Sequence, residues 1–278
     1  VECVPEDLVD RVVVAAGYGV DEIVQFTESG SAPYDILLSV ESEPLGTGGA
    51  VAHAVPMLTG TGPVIILNGD LISSVDVRSL LSHHKKTDAS ATLSLWEVED
   101  PSRFGVCDLD DSGMIRRFQE KPERGMEFSN LINAGCSIVE RSILDSLPSG
   151  KFSMERQVFP EIAESGSMAG LVFEGYFVDA GTPSSFIQAA SACILNNRFS
   201  TGRREGNNWF GEGSVSEGLV ENCSIGPGAI VSHGARLNHS VVLEDAHIGE
   251  GAILNSCIVA KGASVPAYSS VSNKIIAD

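Results

Sequence analysis

From Ile225 onward an aliphatic residue returns about every six positions, and this repeat constrains the fold more tightly than any other feature of the chain. The runs are Ile225-Gly-Pro-Gly-Ala-Ile, Val231-Ser-His-Gly-Ala-Arg, Leu237-Asn-His-Ser-Val-Val, Ile248-Gly-Glu-Gly-Ala-Ile, Leu254-Asn-Ser-Cys-Ile and Val259-Ala-Lys-Gly-Ala-Ser-Val265. A period of six does not suit an amphipathic helix, whose apolar face returns at three and four residues, and it is too long for simple strand alternation. It suits short strands joined at small-residue corners and stacked as a parallel β-helix, here about four turns of about 18 residues. Ile225, Val231, Leu237, Ile248, Leu254, Val259 and Val265 should then point inward. Gly226, Gly228, Gly234, Gly249, Gly251 and Gly262 should relieve crowding at the turns. Cys223 and Cys257 each stand two positions before an inward aliphatic, where a small residue packs.

That coil uses only part of a chain of 278 residues, 43% of them hydrophobic, so a second core is expected before it. The remaining patterns read as α/β. Strand-like apolar runs occupy 12–16, 36–40, 64–67 and 91–95. Further strands are expected from Arg103-Phe104-Gly105-Val106 and over Ile115–Glu120. The run at 64–67, Val-Ile-Ile-Leu, is fully apolar and reads as a parallel-sheet strand. The expected division is an α/β domain over 1–200 and the coil over 210–278.

Composition excludes several functions. Eighteen Lys plus Arg against 37 Asp plus Glu give a formal charge of −19, which repels a nucleic-acid backbone. A phosphorylated ligand would be a local guest, best accompanied by a divalent cation. The six cysteines lack the C-x-x-C spacing of zinc ribbons or redox pairs and read as reduced, mostly buried small hydrophobes. No apolar run approaches the roughly 20 residues of a membrane span, and no secretory signal opens the chain, so the expected compartment is the cytoplasm without a membrane partner.

Local motifs are individually weak. Gly17-Tyr18-Gly19 before a short helix lacks the third glycine and the ribose-binding acid of a dinucleotide site. Glu43-Pro-Leu-Gly-Thr-Gly-Gly-Ala50 is a glycine-rich strand-to-helix loop that should present bare N–H groups to an anion or polar ring. It is not a Walker A loop, because no Gly-Lys-Ser/Thr ends it. Asn68-Gly69-Asp70 closes the strand at 64–67 before a helix through Leu80 and Leu81. Asp in that place most often caps the helix, yet the carboxyl edge of a sheet is also where α/β proteins bind ligands. His233, His239 and His247 read as polar side chains on the outside of the coil. A histidine general base for acyl transfer is the alternative.

Taken in order, the 43–50 loop, Asn68-Gly69-Asp70, Glu120-Lys121-Pro122, Asn133-Ala-Gly135 with Cys136–Val139, and Val178-Asp179-Ala-Gly-Thr-Pro183 resemble the sugar-1-phosphate nucleotidyltransferases. That family makes a nucleotide sugar and pyrophosphate from a nucleoside triphosphate and a sugar 1-phosphate. The resemblance runs from about residue 10 to the C-terminus. It implies a mostly parallel-sheet α/β nucleotidyltransferase domain followed by a C-terminal left-handed parallel β-helix. It further implies Asp70 and Asp179 as carboxylates holding Mg²⁺ against the phosphates, and Lys121 gripping the sugar phosphate. Gly105, Glu120, Asn133, Gly135 and Glu155 would line the sugar, and Glu43, Gly46, Thr47, Gly48 and Gly69 the nucleotide. A carboxylate at Glu43 suits the N1–H and amino donors of guanine, favouring guanylyl transfer to mannose 1-phosphate over thymidylyl or uridylyl transfer to glucose 1-phosphate.

Family members open with a strand, a Gly-x-Gly-Thr/Ser-Arg loop around the triphosphate and a Pro-Lys pair, and none of these occurs here. The resemblance therefore implies weak turnover by this stretch alone, since such electrostatic groups are each worth about a hundredfold or more. Retention of Asp70, Lys121 and Asp179 favours an N-terminally truncated enzyme over a relic. Two alternatives stay open: a noncatalytic subunit that binds nucleotide sugars, and a bifunctional enzyme with an acyltransferase coil. Flat coil sheets suit packing between copies, so a homo-oligomer is expected.

Overall fold

The computed structural model describes residues 4–28 and 34–277. Cys3 lies outside them. In chain order the elements before the coil begin with β1 (Arg11–Ala16), α1 (Val20–Glu28), β2 (Asp35–Val40), α2 (Gly46–Ala54), β3 (Val64–Leu67), β4 (Leu71–Ser73) and α3 (Val77–Thr87). They continue with β5 (Ala91–Glu97), β6 (Gly105–Leu109), β7 (Ile115–Glu120), β8 (Leu131–Val139), α4 (Arg141–Asp145), α5 (Phe159–Glu164), β9 (Met168–Val172), β10 (Phe177–Asp179) and α6 (Pro183–Leu195). The chain forms two compact units. One holds Ser74–Gly175 and the chain up to Asn68; the other holds Gly69–Ser73 and the chain from Tyr176.

The first unit is built on a six-stranded sheet in the order β7-β6-β8-β5-β9, with β3 also paired to β8. Strand β5 is buried from Ala91 through Leu95, as a central strand covered on both faces must be. Leu93, Leu95, Ile115, Phe118, Val139 and Met168 form its core with Phe159 and Ile162 of α5. Helix α3 places Val77, Leu80 and His84 on one buried face at helical spacing. Asp76 caps its N-terminus, and Lys85 and Lys86 sit in the last turn, where cations suit the helix dipole. Strands β1 and β2 pair in parallel as a separate two-stranded sheet.

Two expectations need correction here. Only β5–β9 is a parallel pairing within the six-stranded sheet; β3 runs antiparallel to β8, from Val64 opposite Val139 to Leu67 opposite Cys136. A four-residue apolar run reports burial on both faces, not the direction of its neighbour. The helix expected directly after Asp70 begins only at Val77, because the chain first forms the short strand β4.

In the second unit β4 pairs antiparallel with β10, placing Asp179 opposite Leu71. Helix α6 follows, capped by Thr182 and Ser185 in a reciprocal box with Pro183 in the first turn. Its Ile187 and Ala190 pack on Val241, Leu243 and Ile258 of the coil. After the hairpin Arg203–Glu205 and Asn208–Phe210, the hexapeptide region forms three parallel sheets, one per side of the coil.

All seven aliphatics expected to point inward are buried, as are Cys223 and Cys257. Each fully buried aliphatic of this kind contributes about 1.5–3 kcal/mol. Successive coils pair at a spacing of 17 residues, as in Ile225 to Val242 to Val259 to Ile276, rather than about 18. Two sides of each coil take six residues and the third takes five, which makes Val242 an inward residue as well. The short side turns through a left-handed residue, His239 or Ser256. The glycines serve two needs. A Cβ at Gly249 would stand 2.5 Å from the backbone nitrogen of Ala267 on the next coil, whereas Gly251 turns at φ +63.

Candidate active site

Asp70 and Asp179 lie together in the second unit. The antiparallel pairing of β4 and β10 carries them to adjacent strand ends, where the Ala180 N–H donates to the Asp70 carbonyl at 2.8 Å. The Gly181 N–H donates to Asp179 Oδ1 at 2.9 Å and fixes that carboxylate. A Cβ built on Gly181 would lie 3.0 Å from Asp179 Oδ1 and 3.8 Å from Asp70 Oδ2, so both carboxylates border the same point. The commonplace role for Asp70, capping the next helix, is filled by Asp76, whose Oδ1 accepts from the Arg78 N–H at 3.0 Å.

Among the described residues no group of three His, Cys, Asp or Glu could hold a metal ion. A pair of hard carboxylates nonetheless fits an ion that completes its shell with substrate phosphate and water, the habit of Mg²⁺ rather than of a caged structural metal. Gly69 is exposed, and a Cβ there would meet nothing within 4 Å, so its own unit does not require glycine.

The other predicted residues lie in the first unit. Glu120 ends β7 opposite Gly105 of β6. Lys121 follows in the left-handed region at φ 46, held there by its N–H donating to the Phe104 carbonyl at 2.9 Å. Its ammonium stands 3.5 Å from Glu120 Oε1, with the lysine side chain 56% exposed and the glutamate 13%. Burial pushes the Glu120 carboxyl above its ordinary range; the Lys121 ammonium opposes this and the Glu155 charge adds to it. Glu120, Lys121 and Glu155 therefore share one electrostatic neighbourhood. Gly105 is glycine for a local reason, since a Cβ would meet the Phe118 ring at 2.5 Å. On β8 the Asn133 Oδ1 accepts from the Gly135 N–H at 3.1 Å, and the Gly135 carbonyl accepts from the Asn68 N–H at 2.9 Å.

The glycine-rich segment differs from the open loop expected. Gly46-Thr47-Gly48-Gly49 is the first turn of α2, and the N–H groups of Gly48 and Gly49 donate to the Phe152 carbonyl at 3.1 and 3.3 Å rather than standing bare. A Cβ at Gly48 would lie 2.2 Å from the Phe152 ring, and one at Gly46 2.6 Å from the Phe152 carbonyl. Thr47 Oγ1 donates to Glu155 Oε2 at 2.5 Å. Glu43 is exposed.

Sequence reasoning missed Glu41, whose Oε2 accepts from the Leu45 N–H at 2.9 Å and shapes the approach to α2. Ser153, the start of the Ser153-Met154-Glu155 motif that supports Glu155 at the sugar, caps a π-helical turn at Met154–Val158, a geometry frequent at functional sites. Four residues on, Gln157 Oε1 accepts from the Ser153 N–H at 2.8 Å. Of the cysteines, Cys107, Cys136, Cys223 and Cys257 are buried, and burial raises the Cys223 thiol to about 11. The three coil histidines are exposed. His247 Nε2 lies 3.2 Å from Ser232 Oγ, and His239 Nδ1 lies 2.9 Å from Asn238 Oδ1. No described helix is long and apolar enough to cross a membrane.

Comparison with known proteins matches these features to a family. The model described as nucleotidyl transferase matches residues 2–195, and that described as GlmU-like, C-terminal hexapeptide matches 202–278. The probable mannose-1-phosphate guanylyltransferase 2 of Oryza sativa subsp. japonica is 31% identical, covering 99% of this chain and 80% of that protein. Mannose-1-phosphate guanylyltransferase 1 of Arabidopsis thaliana is 30% identical over 96% of this chain and 78% of its own. Among solved structures, HddC from Yersinia pseudotuberculosis complexed with GMP-PN matches with a TM-score of 0.57 and 28% identity, over 68% of this chain and 80% of that one. On this near-full-length likeness, the chain belongs to the nucleotidyltransferase family, with a hexapeptide-repeat coil as its C-terminal part.

Proposed function

We propose that the protein is a sugar-1-phosphate guanylyltransferase, which transfers GMP from GTP to mannose 1-phosphate and releases pyrophosphate. The observation that carries this reading is the convergence of the Asp70 and Asp179 carboxylates beside Gly181 in a chain of this family. Names of relatives supply the preference for GTP and mannose 1-phosphate.

In this reading a phosphate oxygen of the sugar phosphate attacks the α-phosphorus in line, and the bond to the bridging oxygen breaks as pyrophosphate leaves. Asp70 and Asp179 would hold a divalent cation, with Mg²⁺ best suited to two carboxylates plus phosphates. Such an ion, when bound, neutralises phosphate charge and polarises the phosphoryl oxygens. Lys121 holds the sugar phosphate as a compact point charge, oriented by its left-handed backbone. Glu155 and Glu120 bind sugar hydroxyls with Asn133, while Gly105 and Gly135 keep the β6 and β8 backbones close. Glu43 accepts from guanine, and Gly46, Gly48 and Gly69 border the nucleotide. Residues up to about 200 carry this chemistry and 210–278 form the coil.

The test is product analysis with the full-length gene product, GTP and mannose 1-phosphate in Mg²⁺. GDP-mannose and pyrophosphate are expected in equal amounts; no product from any nucleotide and sugar-phosphate pair would overturn the reading. We further read the protein as cytoplasmic and homo-oligomeric through the coil, and a clean monomer in sedimentation velocity would contradict the second point.

A further inference from the structure

In the cluster of Thr47, Ser153 and Glu155 both hydroxyl oxygens accept from backbone donors, and Glu155 Oε2 is a nearer acceptor for the Thr47 proton than Ser153 Oγ at 3.4 Å. The Met154 N–H donates to Thr47 Oγ1 at 3.0 Å, and the Arg156 N–H donates to Ser153 Oγ at 3.3 Å. Each backbone N–H has its proton fixed, so each hydroxyl oxygen must act there as acceptor and keeps its own proton to give elsewhere. Both hydroxyls give it to the same atom: Thr47 at 2.5 Å and Ser153 at 2.7 Å from Glu155 Oε2. Hydroxyl bonds to a carboxylate oxygen are short, which suits these distances. Glu155 is thereby held by one oxygen, with Oε1 left to accept from a ligand.

We propose that Thr47 and Ser153 are positioning residues for the sugar: they hold the Glu155 carboxylate in one orientation, and so tie the start of α2 to the sugar-binding carboxylate. The inference rests on the reading of Glu155 as a sugar ligand. It reassigns Thr47, whose place in the glycine-rich segment suggests the nucleotide, to the other substrate. The glycines on either side support this. Gly46 and Gly48 are kept small by Phe152, the residue just before Ser153, so the start of α2 is shaped to fit the segment carrying Glu155. The Gly48 and Gly49 N–H bonds to the Phe152 carbonyl fasten the same two segments. Thr47 and Glu155 are 108 residues apart in the chain, which leaves the link invisible in sequence.

Initial-rate kinetics and calorimetry on the full-length protein test the assignment. Thr47→Val and Ser153→Ala should each raise KM and Kd for mannose 1-phosphate about tenfold, the scale of one hydrogen bond to a charged group, with KM for GTP within about twofold of wild type. Thr47→Ser, which keeps the hydroxyl, should restore wild-type values, and neither variant should add to the defect of Glu155→Ala. A rise in KM for GTP alone, or full additivity with Glu155→Ala, would overturn it. A crystal structure of the Thr47→Val, Ser153→Ala double variant tests the clamp without turnover. The Glu155 carboxylate should swing away from α2, and an unmoved Glu155 would refute the clamp. Wild-type protein that neither binds nor converts mannose 1-phosphate would instead refute the proposed function.

Discussion

Gly249 in the coil and Gly48 at the start of α2 are both glycine because another part of the chain is too close for a side chain. At Gly249 the obstacle is the backbone nitrogen of Ala267, one coil further on; at Gly48 it is the ring of Phe152, far away in sequence. The first is legible, because the same step recurs: Gly226 meets Glu244 of the following coil at 2.7 Å. The second is written once, and the residues around it suggest a ligand instead of a packing partner. A repeat lets each residue forecast its neighbours, whereas a site assembled from remote segments hides the reason for each residue.

Several substitutions would break or sharpen this contrast. Ile248, fully buried in the coil, should lose about 2–5 kcal/mol of stability on replacement by alanine, measured by denaturant unfolding, while KM values stay unchanged. A shift in KM of more than about threefold would mean that the coil does more than support its own unit. Next in size, Gly249→Ala should cost about 1–3 kcal/mol from overlap with the next coil, whereas Gly69→Ala should stay within about 0.5 kcal/mol of wild type. Gly69 is then free to show a nucleotide effect uncontaminated by folding, and a raised KM for GTP in Gly69→Ala would support its role. A large loss of stability there would contradict the geometry.

The smallest effect concerns pH. Burial raises the Glu120 carboxyl in the folded protein above its ordinary value of 4.5, so the folded state holds its proton longer than the unfolded chain as pH rises. Glu120 therefore subtracts stability progressively as pH climbs from about that ordinary value through the raised one, and the penalty persists above it. Glu120→Gln should accordingly be stabilised relative to wild type at pH 7 more than at pH 4, as read by paired unfolding curves. Equal differences at both pH values would show that desolvation of this carboxylate is unimportant.

Strand positions were largely readable in the sequence. The apolar runs at 36–40 and 64–67 correspond to β2 and β3 within a residue, and 91–95 to the buried part of β5. What hydrophobic pattern cannot carry is the partner: nothing in Val-Ile-Ile-Leu states that β8 lies beside it antiparallel. Nor does a three-residue strand such as β4 offer a period, and its presence is what brings Asp70 beside β10. In the coil the five-residue side was present in the spacing of Leu237, Val242 and Ile248 but was obscured by an assumed uniform period. The candidate site was legible as a set of residue types in family order. Its internal bonds were not, because Thr47 with Glu155 and Asn68 with Gly135 are joined only after folding.

The account turns on Asp70 and Asp179 acting as a pair, which makes pyrophosphate release by Asp70→Asn and Asp179→Asn the most direct test. Both replacements keep size and hydrogen-bonding capacity while removing charge. With GTP, mannose 1-phosphate and Mg²⁺, each is expected to lower turnover by the full-length protein about 10²–10³-fold with unfolding curves unchanged, and the double variant should be scarcely worse than either single one. Wild-type turnover in either single variant would contradict the central claim.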